Sequence, residues 1–368
     1  MTFIPDKAPP HPATVLDWLR ARLFSNWSSS IATVAIVYLA WKILPPLVEW
    51  ALIHAVWSPD NPSLCREAIG QGACWAFVAD KYRFLLFGTF PAEQHWRPAL
   101  TIGILLALYG ISAGHLLGRF RLASVWLVGL AAIAILMWGG ALGLSYVENE
   151  RWGGLTLTLL LATFGIGLAF PLSILLALGR RSSIPLVRWL AITYIELIRG
   201  VPLISVLFMA SVMLPLFMPA GISFDKLLRA QLAMVLFAAA YVAEVVRGGL
   251  QAIPRQQEEA AQALGLSYWQ RTCYVTLPQA LRLAIPPLVN TFIGFFKDTS
   301  LVVIIGLFDF LTTIKVSLTE PAWTGFGVEA YLFAALGYFI FCYPMSRYSQ
   351  ALERRSAPGG GICALKKN

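Results

Sequence analysis

Residues 258–280 read EEAAQALGLSYWQRTCYVTLPQA, and they lie between two long apolar runs at about 228–250 and 283–306. The stretch is too polar to lie in the hydrocarbon core of a bilayer. Two interpretations fit a segment of this kind. It is either a solvated helical linker or a pair of surface helices on which another protein docks. The small residues Ala260, Ala261 and Gly265 would let the backbone of another protein approach closely, as the second interpretation requires.

Two short helices, set at an angle to each other, are predicted within and just before this stretch. Pro254 suits the first position of a helix, and Gly265 suits the position just after a helix end. Ser267 and Gln270 have the spacing of a capping box, which would begin the second helix. Leu277-Pro278 is expected to end that helix, because a proline lacks the N–H that would continue it, and Pro278 can open the next helix.

The spacing of the stretch resembles the EAA loop of ABC importer permeases. That loop has the pattern EAA-x3-G-x9-I-x-L-P, and the one departure here is Val275 in place of isoleucine. The resemblance implies a cytoplasmic loop that docks on an ATP-binding subunit and passes its motion to the membrane helices. The residues to which it assigns this ATPase coupling are Glu259, Ala260, Ala261, Gly265, Leu277 and Pro278.

The composition is that of a polytopic membrane protein. Hydrophobic residues occupy 58% of the 368 positions, compared with roughly 45–50% in soluble domains. Several apolar windows are long enough to cross a bilayer. The net charge of +9 comes from basic residues in short loops beside apolar runs. This placement indicates membrane topology rather than nucleic-acid binding.

Eight membrane spans are predicted, which makes the fold class all-α and polytopic. The predicted spans are about 29–55, 99–118, 123–147, 153–179, 200–219, 228–250, 283–306 and 328–346. Residues 185–199 have an amphipathic pattern and are expected to lie along the membrane surface. Eight spans put both termini on one side, which holds 18 of the 28 lysines and arginines, against 8 on the other. The termini and the EAA stretch are therefore predicted to be cytoplasmic.

The resemblance extends over a little more than half of the chain. Four segments are similar to the polar-amino-acid subfamily of ABC permeases: 156–180, 194–208, 241–265 and 277–301. The implied organisation is a type I ABC importer permease core of five helices, preceded by a three-helix N-terminal extension. Within the extension, the stretches CREAIGQGACWAFV (65–78), FLLFGTFP (84–91) and WRP (96–98) resemble the N-terminal extension of general L-amino-acid transporter permeases. The expected boundaries are a cytoplasmic tail 1–28, the extension 29–150 with a periplasmic loop 58–97, the permease domain 151–346 and a second tail 347–368.

The implied function is import of L-amino acids, polar ones with broad selectivity, across a bacterial inner membrane. The implied partners are an ABC ATPase dimer, a periplasmic amino-acid-binding protein and a second homologous permease, with a heterodimer favoured. No G-x-x-x-x-G-K-[ST] motif is present, so ATP and Mg²⁺ are assigned to the partner ATPase and no cofactor to this chain. Without a zinc motif, paired catalytic carboxylates or a nucleophile elbow, the chain is predicted to be neither an enzyme nor a metal protein.

Polar groups within the seventh predicted span are candidates for the substrate pathway. They are Asn290, Lys297, Asp298, Thr299 and Ser300. An amino acid carries a carboxylate and an ammonium, which opposite charges along a pathway could recognise. The alternative is an interhelical ion pair or a gate. A different function also fits these residues, namely an ion-coupled secondary amino-acid transporter that uses Lys297 and Asp298. An integral-membrane enzyme or sensor would need a catalytic constellation, and the sequence has none.

Three pairs of residues have spacings that suggest contacts. Cys65 and Cys74 could form a disulfide in an oxidising periplasm, or they could remain reduced and partly buried. Glu196 and Arg199 are three residues apart, as are Glu244 and Arg247, so each pair can meet on one helix face. These charged pairs are expected to set helix packing at the cytoplasmic rim rather than to touch substrate.

Overall fold

The computed structural model describes residues 19–20, 22–58, 62–114, 117–219 and 224–356. In these residues the regular structure is helical, and strand pairing is limited to two isolated β-bridges. The all-α fold class is therefore confirmed. The predicted tails 1–28 and 347–368 lie partly outside the described residues.

The chain divides into two compact units, Met1–Ala79 and Asp80–Asn368. The first unit contains α1 (Trp27–Val48), which continues as a π-helical segment (Glu49–Ile53), and α2 (Pro62–Glu67). Helix α3 (Ala76–Phe87) contains the boundary between the units. Helices therefore occupy part of the region 58–97, for which the sequence predicts only a loop.

The second unit contains the remaining helices, several of them extended by short 3₁₀ or π segments. They are α4 (Trp96–Ala113), α5 (Arg119–Trp138), α6 (Gly154–Arg180), α7 (Pro185–Gly200), α8 (Leu203–Phe208), α9 (Lys226–Gln251), α10 (Arg255–Ala263), α11 (Tyr268–Arg271), α12 (Leu277–Asp298), α13 (Phe310–Ser317) and α14 (Gly327–Ser356).

Seven helices of the described residues are long and apolar enough to cross a membrane. They are Trp27–Ile53, Ala92–Ala113, Phe120–Trp138, Gly154–Arg180, Lys226–Gln251, Tyr268–Ile305 and Gly327–Arg354. An eighth crossing results if the bent pair Pro185–Gly200 and Leu203–Leu216 counts as one span. The prediction of about eight spans agrees with this result.

The fifth predicted span, 200–219, differs from the observed helix. The chain bends by 103° between Pro185–Gly200 and Leu203–Leu216. Pro202 lies at the bend and cannot donate the hydrogen bond that would continue α7. The helical part that follows is only about 20 Å long, which is shorter than the hydrocarbon core. The proline therefore interrupts the predicted span near its start.

The third predicted span, 123–147, is wrong at its C-terminal end. Helix α5 ends at Trp138, because Gly139 and Gly140 both adopt positive φ angles, 72° and 74°. Glycine adopts such angles without the steric penalty of a side chain. The chain then turns back, and the backbone N–H of Val147 donates to the Trp138 carbonyl at 2.8 Å.

A core of small and branched residues joins four helices of the second unit. Helix α9 packs chiefly against α6 and α12, and α7 also contacts it. The buried residues of this core are Ala177, Ile195, Val242, Ala243, Val246, Leu250, Ala280, Ala284 and Leu288. Alanines at the crossings let helix backbones approach closely, which is how helices associate in membranes.

Gly249 makes the closest of these approaches between α9 and α12. A Cβ at this position would lie 2.5 Å from the Ala280 carbonyl oxygen, whereas a Cβ at the neighbouring Gly248 would meet nothing within 4 Å. We expect Gly249→Ala to destabilise the protein by about 1–3 kcal/mol, because the contact is with backbone that cannot rotate away. Gly248→Ala should be neutral or stabilising. Tryptophan-fluorescence unfolding midpoints check this, and equal midpoints for the two variants would contradict it.

Cys65 and Cys74 form a disulfide in the first unit. Their Cα atoms lie 5.4 Å apart, and both residues are fully buried. The segment around Cys74 is held by backbone hydrogen bonds, in which Val56 donates to Ala73 at 2.8 Å and Ala76 donates to Val56 at 3.0 Å. The Trp75 indole donates to the Ala51 carbonyl at 2.7 Å. The disulfide therefore belongs to a small ordered unit with its own hydrogen-bond network.

Candidate functional site

The first helix of the EAA stretch, α10, ends in a regular glycine cap. Pro254 is its N-cap, one position before the predicted place, and Arg255 is its first residue. At the other end Gly265 has a φ angle of 78°. Its N–H donates to the Gln262 carbonyl at 2.9 Å, and the Leu266 N–H donates to the Ala261 carbonyl at 3.2 Å. This pair of bonds is the Schellman motif, which needs a residue that adopts the left-handed conformation.

The second helix begins with the predicted capping box. Gln270 N–H donates to the Ser267 hydroxyl at 3.4 Å, and Ser267 N–H donates to the Gln270 side-chain oxygen at 2.9 Å. The two helices are thus separated by a fixed turn of a few residues rather than by a flexible link. The short connection holds α10 and α11 in a defined relation to each other.

The prediction that Leu277-Pro278 ends the second helix is wrong, although Pro278 does lie in the first turn of α12, as expected. The chain runs as one 38-residue helix from Tyr268 to Ile305, and it contains a π-helical segment at Thr272–Thr276. That segment changes the hydrogen-bond register just before Pro278, so the N–H that proline lacks is not needed there. Side chains bond backbone acceptors beside it. The Thr276 hydroxyl donates to Arg271 at 3.0 Å, and the Gln279 amide donates to Val275 at 2.9 Å.

The six residues of the EAA pattern divide into exposed and buried members. Glu259, Ala260, Gly265 and Pro278 are exposed, Leu277 is half-buried, and Ala261 is buried. Beside the exposed members lie large apolar side chains, with Leu264 81% exposed, Trp269 62% and Tyr274 76%. We call this exposed face of α10, α11 and the π-helical segment the coupling surface. Exposed apolar area of this kind is typical of a protein-binding surface.

A cluster of five charged residues lies at the ends of α6, α7 and α9. We call it the Glu244 cluster, and it consists of Arg180, Glu196, Arg199, Glu244 and Arg247. Glu244 is 3.3 Å from Arg180 and 3.8 Å from Arg199, and it also pairs with Arg247. Glu196 lies 2.9 Å from Arg180. The predicted ion pair between Glu244 and Arg247 is present. Glu196 does not pair with Arg199 as predicted but with Arg180 on another helix.

Arg181 connects α10 to the ends of two membrane helices. Its guanidinium lies 3.7 Å from the Glu258 carboxylate and donates to the Leu250 carbonyl at 3.4 Å. Leu250 belongs to the last turn of α9, where carbonyl groups have no intrahelical partner. The start of the EAA stretch is therefore tied by one side chain to both α6 and α9.

Asn290, Lys297 and Asp298 lie in the C-terminal half of α12, and the other two candidate pathway residues follow in a 3₁₀ segment, Thr299–Ile305. The five residues do not form one cluster. Asn290 and Lys297 are both exposed and seven residues apart, so they share a helix face. Asp298 is half-buried on a different face, and neither Lys297 nor Asp298 has an ion-pair partner among the described residues. Thr299 is fully buried, and its hydroxyl donates to the Phe296 carbonyl at 2.8 Å, while Ser300 is half-buried.

Asp309 is a fully buried carboxylate that the sequence reasoning did not single out. It caps α13 by accepting from the Leu311 N–H at 3.0 Å and the Thr312 N–H at 3.3 Å. The Thr312 hydroxyl is a third donor. The neighbouring Phe310 N–H donates to the Thr158 hydroxyl at 3.0 Å, which ties α13 to α6. An aspartate just before an apolar helical run was the available signal.

A second charged group connects α3 to the turn after α13. The Lys81 ammonium lies 2.6 Å from Glu320 and 3.2 Å from Asp80, and the Trp323 indole donates to Asp80 at 3.0 Å. Desolvation acts to lower the pKa of Lys81, but hydrogen bonds to Glu320 and Asp80 outweigh it and raise that pKa above its ordinary value. The lysine therefore stays charged at neutral pH.

Comparison with known proteins gives one family. The profile of the binding-protein-dependent transport system inner membrane component matches residues 169–357. The match begins later and ends later than the predicted permease domain, 151–346.

In the described residues no group of three or more His, Cys, Asp or Glu side chains is placed to hold a metal ion.

Two similar proteins cover almost the whole chain, and a solved structure covers about half of it. The inner membrane amino-acid ABC transporter permease protein YhdY of Escherichia coli K12 is 49% identical over 98% of this chain and 99% of its own length. The glutamate/glutamine/aspartate/asparagine transport system permease protein BztC of Rhodobacter capsulatus is 37% identical, over 95% and 96%. A crystal structure of an amino acid ABC transporter with histidines is 32% identical over 55% of this chain and 92% of that one, with a TM-score of 0.49.

Proposed function

We propose that this chain, a permease subunit of an amino-acid ABC importer, receives the driving force for transport at the coupling surface. The chain belongs to the binding-protein-dependent transport system inner membrane component family. A separate ABC ATPase dimer docks there, on the exposed Glu259, Ala260 and Gly265 and the apolar side chains beside them, while the buried Ala261 packs inside this chain. ATP and Mg²⁺ are bound by that ATPase, and the chain itself binds no cofactor and catalyses no reaction.

One observation carries this proposal. The second helix of the EAA stretch continues without interruption from Tyr268 into α12, which contains Asn290, Lys297 and Asp298. At 1.5 Å per residue, the distance along this helix from Tyr268 to Asp298 is roughly 45 Å. A displacement of the coupling surface therefore moves the candidate pathway residues directly. A proton-coupled carrier would have no use for such a helix ending in an exposed apolar surface.

The family and the distribution of Lys and Arg support further proposals about the partners, the orientation and the substrates of the transporter. One EAA loop per chain requires two permease chains for two ATPases, and we favour a second homologous permease over a second copy. A periplasmic amino-acid-binding protein delivers the substrate. The distribution of Lys and Arg supports cytoplasmic termini in a bacterial inner membrane. The name of the BztC relative supports polar L-amino acids as substrates with broad selectivity.

Asn290, Lys297, Asp298, Thr299 and Ser300 remain our candidates for the substrate pathway. The exposed face that Asn290 and Lys297 share is the part of this set best placed to contact a passing substrate or the second permease. Thr299 is buried in this chain, so we assign it to the shape of the pathway rather than to direct contact. Lys297 and Asp298 on separate faces can bind the carboxylate and the ammonium of a substrate only through different sides of the helix.

The source of energy tests the proposed function. We expect amino-acid uptake into proteoliposomes containing the complete complex to require ATP on the side of the coupling surface and the binding protein on the other. Dissipating the proton gradient with an uncoupler should leave this uptake unchanged. Uptake that continues without ATP and stops with the uncoupler would contradict the proposal and support the secondary transporter that uses Lys297 and Asp298.

A further inference from the structure

A cavity of about 390 Å³ lies where the ends of α6 and α9 meet the first turns of α10. Its volume falls in the range of roughly 300–1,000 Å³ typical of small-molecule pockets. Four arginines line it, namely Arg180, Arg181, Arg247 and Arg255, together with a single carboxylate, Glu258. Arg255 and Glu258 of this lining belong to α10, and none of the candidate pathway residues lines the cavity.

The positive charge of this cavity is only partly neutralised. Arg180 and Arg247 pair with carboxylates of the Glu244 cluster, and Arg181 has only the longer 3.7 Å contact with Glu258. Arg255 is exposed and has no ion pair among the residues that the structure describes. Even with Glu196 and Glu244 counted, the arginines outnumber the carboxylates that face them. Local charge of one sign in a partly desolvated site favours a bound counter-ion.

We propose that this cavity binds a phosphate group, held chiefly by Arg181 and Arg255. The planar guanidinium presents parallel N–H donors that match the oxygens of a phosphate, and such bonds are charge-assisted. Arg181 is the C-cap of α6 and Arg255 is the first residue of α10, so a phosphate between them would join the end of a membrane helix to the first EAA helix. The bound group would then stiffen the connection through which the coupling surface moves the membrane helices.

Two sources can supply this group, the headgroup of an anionic phospholipid or a free phosphate anion. Basic pockets beside membrane helices bind phospholipid headgroups in other proteins. The same arginines would accept inorganic phosphate or the phosphate of a soluble metabolite. The two sources share the recognition chemistry, and they differ in whether a lipid tail is present.

The test measures stabilisation of the complete complex in a neutral detergent, without ATP or substrate. The probes are phosphatidylglycerol, phosphatidylcholine as the neutral lipid, and inorganic phosphate alone. The variant is Arg181→Gln with Arg255→Gln. The matched control is Arg188→Gln with Arg282→Gln, because both of these arginines are exposed, lie outside the cavity and give the same change in net charge.

We expect phosphatidylglycerol, but not phosphatidylcholine, to raise the unfolding midpoint of the wild type by about 3–6 °C at a hundredfold excess over its dissociation constant. The Arg181/Arg255 variant should lose this shift, and the control should keep it. If inorganic phosphate alone reproduces the shift and the same variant loses it, the bound species is a free anion. If the variant keeps the shift, or if the control loses it equally, the proposal is overturned. None of these results depends on transport, so the proposed function is tested separately.

Discussion

Changing Gly265 to aspartate is expected to abolish ATP-driven uptake by the assembled transporter, whereas Gly265→Asn retains measurable uptake. Gly265 has a left-handed φ of 78°, a conformation that asparagine and aspartate adopt more readily than other residues with side chains. A Cβ there meets nothing within 4 Å, so neither residue crowds this chain. The two variants therefore share backbone strain and volume and differ in charge.

The charge matters because Gly265 lies beside exposed Leu264 and close to Trp269, on the coupling surface. A docked ATPase would bury the new carboxylate without a partner, which costs about 3–5 kcal/mol. Association of the ATPase should then weaken by roughly two to four orders of magnitude. Co-purification of the ATPase and uptake in proteoliposomes measure this, with size-exclusion profiles to show that both variants are inserted and folded.

Unchanged uptake and ATPase association in Gly265→Asp would show that the coupling surface has been wrongly assigned. If both variants lost uptake and ATPase association equally, the cause would be disruption of the Schellman motif. The shared change of backbone conformation, rather than the charge, would then explain the loss. In that case the stability of α10, and not the docking chemistry, would explain the glycine. The paired design keeps these two physical causes apart.

The features of the EAA stretch that depend only on residues close together in the sequence, namely its helix caps, could be predicted. Gly265 ends α10, and Ser267 with Gln270 begins α11, as their spacing indicates. These features are local because a cap is formed by residues within one turn of each other. The presence of α4, α5 and α6 could also be predicted from their apolar sequences. The end of α5 at Gly139 and Gly140 could not, because glycine also occurs within membrane helices.

Pro278 shows why a local rule can fail. Proline normally ends a helix because it lacks the N–H and its ring meets the carbonyl four residues earlier. Here the π-helical segment Thr272–Thr276 shifts the register before the proline, and α12 continues. A single sequence does not indicate a π-helical segment, because its composition is that of an ordinary helix. The most important mechanical property of the site, one continuous helix, was therefore missed.

The convergence of charges also lay beyond the sequence. Arg180 and Glu244 are 64 residues apart, and their contact exists because α6 packs against α9. By sequence spacing Glu196 and Glu244 belong to two separate local pairs, and only the fold brings Arg180 to both of them. The cavity lined by Arg181 and Arg255 depends in the same way on packing between distant segments.

Glu244→Gln is expected to have the largest effect on stability of any single charge change at these helix ends. Its carboxylate is shared by Arg180, Arg199 and Arg247, which belong to α6, α7 and α9. Removing the charge leaves three guanidiniums close together without their common acceptor. Because the Glu244 side chain is 21% exposed, we expect a loss of about 2–3 kcal/mol, less than for a fully buried pair.

Glu196→Gln is the matched control, because it is the same substitution in the same cluster. Within the described residues Glu196 forms one ion pair, with Arg180, and its side chain is 54% exposed, so the loss should be at most about 1 kcal/mol. Unfolding midpoints of both variants in one detergent compare the two losses. If Glu244 acts as the shared acceptor, Glu244→Gln combined with Arg247→Gln should be less destabilised than the sum of the two single variants, because the double variant leaves one fewer unpaired charge. Equal losses in the two glutamate variants, or strict additivity in the double variant, would mean that helix packing alone holds the ends of α6, α7 and α9 together.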